Sequence, residues 1–155
     1  MGLFSFIKDA GANLFGHKEE VATKSIEVIN FEKAQKLMAE VTAMGLPIQD
    51  LNIVIDQDRA LIFGTAPDQA TKEKVILLVG NTEDIAEVDD KMEVPMAEPE
   101  AKFYTVKKGD YLSKIAKEVY GNASKYNVIF EANKPMLKDP DLIYPGQVLR
   151  IPNLD

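Results

Sequence analysis

Few side chains in this sequence could do acid–base or metal chemistry, and they are scattered. They are His17, the one histidine, the run Asp56-Gln57-Asp58, and the adjacent carboxylates Glu83-Asp84 and Asp89-Asp90. A catalytic histidine needs an orienting partner and a nucleophile within reach. His17 sits in the polar stretch Gly16–Glu20 with neither beside it in a motif. Zinc is disfavoured by one histidine and no cysteine. A calcium loop needs more alternating oxygen donors than Asp56-Gln57-Asp58 supplies. No phosphate-cradling glycine loop and no His-Glu-x-x-His run is present. In a strand, Asp89 and Asp90 point to opposite faces and cannot share a proton or metal, so they are expected to be surface charge. These residues describe a binding protein and no enzyme.

The elements that position them follow from periodicity. Residues 3–15 carry Leu3, Phe4, Phe6, Ile7, Ala10, Leu14 and Phe15 at spacing that predicts an amphipathic helix, interrupted by Gly11. Helical spacing returns from Ser25 to Met44, with Ala34, Leu37, Met38 and Val41 as the apolar stripe, and Gly45 and Pro47 end it. The period then becomes two. Leu51, Ile53 and Ile55 mark one strand, and Ala60 to Thr65 a second, with Leu61 and Phe63 on one face. Pro67 and Asp68 open a helix that stops at Gly80-Asn81. Ile85 to Val94 reads as a third strand.

Pro95 to Lys102 holds two prolines and small residues and predicts a short, fairly extended linker. Beyond it, Phe103–Val106 reads as a strand and Asp110 as the cap of a helix ending at Gly121. A second helix carries Tyr126, Ile129 and Phe130. Tyr144-Pro145-Gly146 is a turn, and Val148–Ile151 a closing strand. The expected fold is α+β. Residues 1–94 form a domain of helices on a small three-stranded sheet, 95–102 the linker, and 103–155 a βααβ module.

The 155 residues are 46% hydrophobic with net charge −7. Residues 1–95 hold nine Lys/Arg against seventeen Asp/Glu; residues 96–155 hold nine against eight. The acidic first part disfavours nucleic acid and anionic membrane as partners. No run approaches the roughly 18 apolar residues of a membrane span. The apolar run Leu3–Ile7 is short and followed at once by Lys8 and Asp9, unlike a secretory signal. A cytoplasmic monomer is the expectation.

Specific motifs carry a resemblance. Tyr104-Thr-Val-Lys-Lys-Gly-Asp110, then Leu112, Ile115 and Ala116, Asn133, and Ile143-Tyr-Pro-Gly-Gln-Val-Leu-Arg-Ile-Pro152 resemble a LysM module. The resemblance implies a βααβ fold and a groove for N-acetylglucosamine glycans. Gly109, Asp110, Tyr111 and Leu112 would form one wall, and Ile143, Tyr144 and Pro145 the other. Tyr111 stands where the family usually has Thr or Ser. The strand pair, helix and third strand of residues 51–94 resemble a BON domain. The order BON then LysM, after Gly-Leu-Phe-x-Phe-x-Lys-Asp-Ala-Gly11, resembles the bacterial cytoplasmic potassium-binding proteins.

That resemblance implies a potassium ion as ligand, a conformational change on binding, and a sensor or buffer role with a protein partner reading the bound form. Potassium can be held by main-chain carbonyls in place of its water, which leaves little side-chain signature. The helix end at Val79-Gly80-Asn81 offers such carbonyls. So does Lys8–Gly11, if Gly11 breaks its helix. Spacing alone makes these ordinary hydrated helix ends. The resemblance assigns the carbonyls of Ile7, Lys8, Ala10, Gly80, Thr82 and Ile85. The alternative it leaves is a peptidoglycan-binding LysM protein with a BON docking domain.

Overall fold

Alternation of Ile53 and Ile55 with Asn52, Val54 and Asp56 requires a pleated strand with one dry face, and Ala60 and Ile62 continue that face after a tight turn. The computed structural model describes residues 2–6, 26–96 and 98–154. In it β2 (Gln49–Asp56) and β3 (Arg59–Thr65) form this hairpin, with Asp56 opposite Arg59. Gln57 takes a left-handed φ of 59° in the two-residue turn. At the far end a register shift between Gln49 and Asn52 brings Ile48 and Gln49 against Gly64. A Cβ on Gly64, whose φ is 139°, would meet both.

β4 (Glu87–Asp90) lies parallel to β3, and β1 (Gly2–Ser5) pairs antiparallel with β4. The sheet therefore has four strands in the order β1-β4-β3-β2. This corrects two expectations. The sheet is not three-stranded, and residues 2–5 are a strand and not the start of a helix. Phe4 and Phe6 turn inward while Leu3 and Ser5 face outward, a period of two. The rest of the expected helix, to Phe15, and the stretch Gly16–Glu20 with His17 lie outside the described residues.

Two helices cover the dry face. α1 (Ile26–Ala43) buries Ala34, Leu37 and Val41. α2 (Gln69–Gly80) is capped by Asp68, whose carboxylate accepts from the Thr71 N–H at 2.7 Å. Thr71, through its hydroxyl first and its N–H second, holds the Asp68 carboxyl below its usual range. Leu61 and Phe63 do share a face, but it is the uncovered one, with Val54 and Leu3 also exposed on the sheet.

The second module pairs β5 (Lys102–Thr105) antiparallel with β6 (Val148–Ile151). α3 (Leu112–Tyr120) and α4 (Tyr126–Ala132), joined by a 3₁₀ turn at Ala123–Lys125, pack on this ribbon through Ile115, Ala116 and Ile129. Gly121, at φ 75°, closes α3 in the left-handed region. The helix cap differs from expectation. Tyr111 occupies the N-cap without a side-chain bond, and Asp110 turns back. Its carboxylate accepts from the Lys107 N–H at 2.9 Å and the Tyr104 hydroxyl at 2.7 Å, with Lys114 at 3.5 Å. Burial pushes the Asp110 carboxyl up, but these donors outweigh it and hold it below the usual carboxylate range.

The two modules share one apolar core. Ile76, Leu77 and Leu78 of α2 belong to the same buried cluster as Met136, Leu137, Val148 and Leu149, and Phe4 stacks on Phe103 with ring centroids 5.2 Å apart. α2 is thus covered on both sides, and its charges are covered with it. Asp90 is not surface charge as expected. It is 1% exposed and pairs with Lys72 at 3.0 Å. Asp89, on the other face, reaches Lys91 at 3.6 Å. Glu73 accepts from Arg150 of β6 at 2.6 Å, from Gln69 at 3.2 Å and from the Ala101 N–H at 3.0 Å. A cavity of about 180 Å³ beside this network is lined by Phe4, Lys72, Glu73, Asp90 and Phe103 among others.

Two expectations follow. Glu73→Ala strands the buried Arg150 guanidinium and should cost about 3–5 kcal/mol in urea unfolding followed by circular dichroism. Because the folded Asp110 carboxyl is depressed, its stabilisation is present at neutral pH and is lost as pH falls below about 4. Asp110→Asn should lower stability at pH 7 by about 1.5–3 kcal/mol and flatten the acid limb of the stability profile.

Candidate functional site

Helix α2 ends because Gly80 and Asn81 cannot continue its apolar register, and its last carbonyls must find partners elsewhere. Some do. The Asn81 N–H bonds to the Leu77 carbonyl at 2.9 Å and the Thr82 N–H to Val79 at 3.1 Å. The Thr82 hydroxyl donates to Leu78 at 2.8 Å. A tight turn follows, with Asp84 at φ 70° and the Ile85 N–H donating to the Thr82 carbonyl at 3.3 Å. Among the described residues no hydrogen bond ends on the carbonyls of Gly80 or Ile85. Gly80, Thr82 and Ile85 are thus brought into one turn at the negative end of the α2 dipole. Lys33 reaches Asp84 at 3.3 Å across it.

The N-terminal strand is aimed at the same turn. The Phe6 N–H donates to the Ala86 carbonyl at 2.7 Å. The Phe6 ring lies on Gly80 so closely that a Cβ there would overlap it. Ile7, Lys8 and Ala10 themselves lie outside the described residues. The helical spacing of residues 3–15 gives Phe6 only an apolar position; the local signal for its role is its period-two spacing from Phe4. Among the described residues no cluster of three or more His, Cys, Asp or Glu could hold a metal ion.

The second candidate surface is the rim of the second module. The Val106 N–H donates to Gln147 and the Gly146 N–H to Val106, each at 2.8 Å, joining the loop after β5 to the loop before β6. Gly109, at φ 88°, and Tyr111, 58% exposed, stand on the first loop. Pro145 is exposed on the second, with Ile143 and Tyr144 half-buried. Leu112, the first residue of α3, is 3% exposed and points into the core, not into a wall. The Tyr144 hydroxyl is enclosed without a partner among the described residues, and burial pushes its pKa up.

Among the described residues no helix is long and apolar enough to cross a membrane. The sequence matches the model of the BON domain over residues 32–96 and that of the LysM domain over residues 104–152. It is 55% identical to an uncharacterised protein of Deinococcus radiodurans over 49 residues, 32% of this chain and 19% of that one. It is 48% identical to the Potassium binding protein Kbp of Escherichia coli O6:H1 (strain CFT073) over 153 residues, which make up 98% of this chain and 99% of that protein. That identity over nearly the whole of both chains means that this chain, a BON domain followed by a LysM domain, belongs to the family of the Potassium binding protein Kbp.

Proposed function

We propose that this chain binds potassium through main-chain carbonyls of Ile7, Lys8, Ala10, Gly80, Thr82 and Ile85, and changes conformation when it does so. The observation that supports this is the meeting of two chain segments at the α2 end: the Phe6 ring packs on Gly80 and its N–H bonds to the Ala86 carbonyl. The turn supplies carbonyl dipoles, and its Asp84 carboxylate is paired with Lys33, which suits a large, weakly hydrated monovalent cation better than a hard divalent one. The near full-length relative named for potassium binding supports the same choice. The ion would tie the N-terminal segment to the first domain in the cytoplasm, and a protein partner would read the resulting surface. This makes the chain a potassium sensor or buffer.

Calorimetry and thermal melts in potassium versus sodium chloride at equal ionic strength test the proposal. A binding heat and a higher Tm in potassium are expected. Equal melting points with no heat would sink it. Gly80→Val displaces the Phe6 ring and should weaken potassium binding at least tenfold, measured by titration calorimetry, while deletion of residues 1–12 should abolish it.

The LysM match and the exposed Tyr111 beside Gly109 and Pro145 favour a second reading, glycan binding at that rim. Retention on insoluble peptidoglycan that Tyr111→Ala removes would support it. No retention, with potassium binding intact, leaves the ion reading alone.

A further inference from the structure

Strand β6 has one edge paired with β5 and one edge turned away from it. On the free edge, the N–H and C=O of Val148 and of Arg150 need partners, since each is buried or nearly so. Two asparagine side chains supply them. Asn133, from the same module, accepts from the Arg150 N–H at 2.7 Å and donates to its carbonyl at 2.9 Å. Asn81, from the other module, accepts from the Val148 N–H at 2.9 Å and donates to its carbonyl at 2.9 Å. Each amide copies the pairing of a missing strand. Asn81 is 3% exposed, and its main chain lies between Gly80 and Thr82.

We propose that Asn81 is the positioning residue that couples the α2 turn to the second module: its side chain fixes the β6 edge while its main chain sets the direction of the flanking Gly80 and Thr82 carbonyls. The inference rests on the potassium reading above. When Val148 holds the Asn81 amide, the turn has one orientation. When the module moves away, the amide takes water, and the turn loses the restraint that aims its carbonyls. Binding at the turn and docking of the module are then linked, and each favours the other by the same factor. Asn133 meets the same strand by the same bonds, and its other hydrogen bond goes to the Ile129 carbonyl of its own module, so it serves as the internal control.

The experiment uses the full chain and potassium chloride, with sodium chloride at equal ionic strength as the blank. Potassium affinity is read by titration calorimetry and chain dimensions by small-angle scattering, for native protein, Asn81→Ala, Asn81→Ser and Asn133→Ala. Asn81→Ser is included because its smaller, hydroxyl-bearing side chain can share the site with a water should the alanine variant unfold. The expected result is a loss of potassium affinity of about 5- to 10-fold in the Asn81 variants, with a smaller potassium-dependent change in dimensions. Asn133→Ala should stay within about twofold of native affinity. Folded Asn81 variants with native affinity and a native change in dimensions would overturn the coupling and leave the ion site standing. Equal losses in the Asn81 and Asn133 variants would overturn it too, by tracing both to stability. Native protein that takes up no potassium overturns the ion reading itself and the coupling with it.

Discussion

Helix α2 is apolar nearly all round over its second half, and such a helix folds only if both of its sides are covered. Val75 through Val79 are each at most 1% exposed. The sheet of the first module covers one side, and the ribbon and loops of the second cover the other. Everything else in the molecule accommodates that burial. The first half of α2 carries Gln69, Lys72 and Glu73 into the same dry junction, where an uncompensated charge would be far more costly than an exposed one. Lys72 finds Asp90 inside its own module. Glu73 finds Arg150 and the Ala101 N–H outside it. The charges do not make the junction strong by themselves, because a buried pair regains little more than its desolvation cost. They make it specific, since only one placement of β6 satisfies the Glu73 carboxylate.

The same strand meets both halves of α2. Arg150 reaches Glu73 in the first half, and Val148 holds Asn81 just past the C-terminus. A helix fixed at two points by one strand cannot tilt without breaking a buried ion pair or stranding a buried amide. The carbonyls at its end therefore inherit their direction from contacts made by the other module. A site built from main-chain oxygens depends on this more than one built from side chains would, because it has no rotamers with which to correct a misplaced ligand.

Much of this was legible in the sequence. α1, the β2–β3 hairpin, α2 and the second module follow from period, caps and turn residues, and the α2 end was singled out through Gly80. What escaped was set by partners distant in sequence. Residues 2–6 fit helix and strand spacing equally, and the exposed edge of β4, more than eighty residues away, decided for the strand. Alternation placed Asp89 and Asp90 on opposite faces but could not say which was inside. That depended on Lys72, whose ammonium makes the inner position tolerable. Asp110 looked like a cap because it precedes an apolar run. The hydroxyl of Tyr104 and the N–H of Lys107 competed for its carboxylate and won. Asn81 read as a helix stop, and its pairing with Val148, 67 residues on, has no local signal.

The chemistry at position 81 shows why an amide belongs there. The free edge of β6 presents one donor and one acceptor at Val148, and only a side chain with both can satisfy the pair at once. An aspartate would accept from the N–H but face the carbonyl with a like-signed oxygen. A serine hydroxyl can donate and accept, but through one atom on a shorter side chain, so it cannot span both groups as the amide's separate Nδ2 and Oδ1 do. Charge points the same way. An ionised residue at 81 would set a full charge in a buried junction beside carbonyls that carry only the partial charge of the helix end. The neutral amide adds no further charge to a turn that already holds Glu83 and Asp84 beside the helix dipole and the peptide carbonyls. It thereby joins the two modules without adding a carboxylate to the turn.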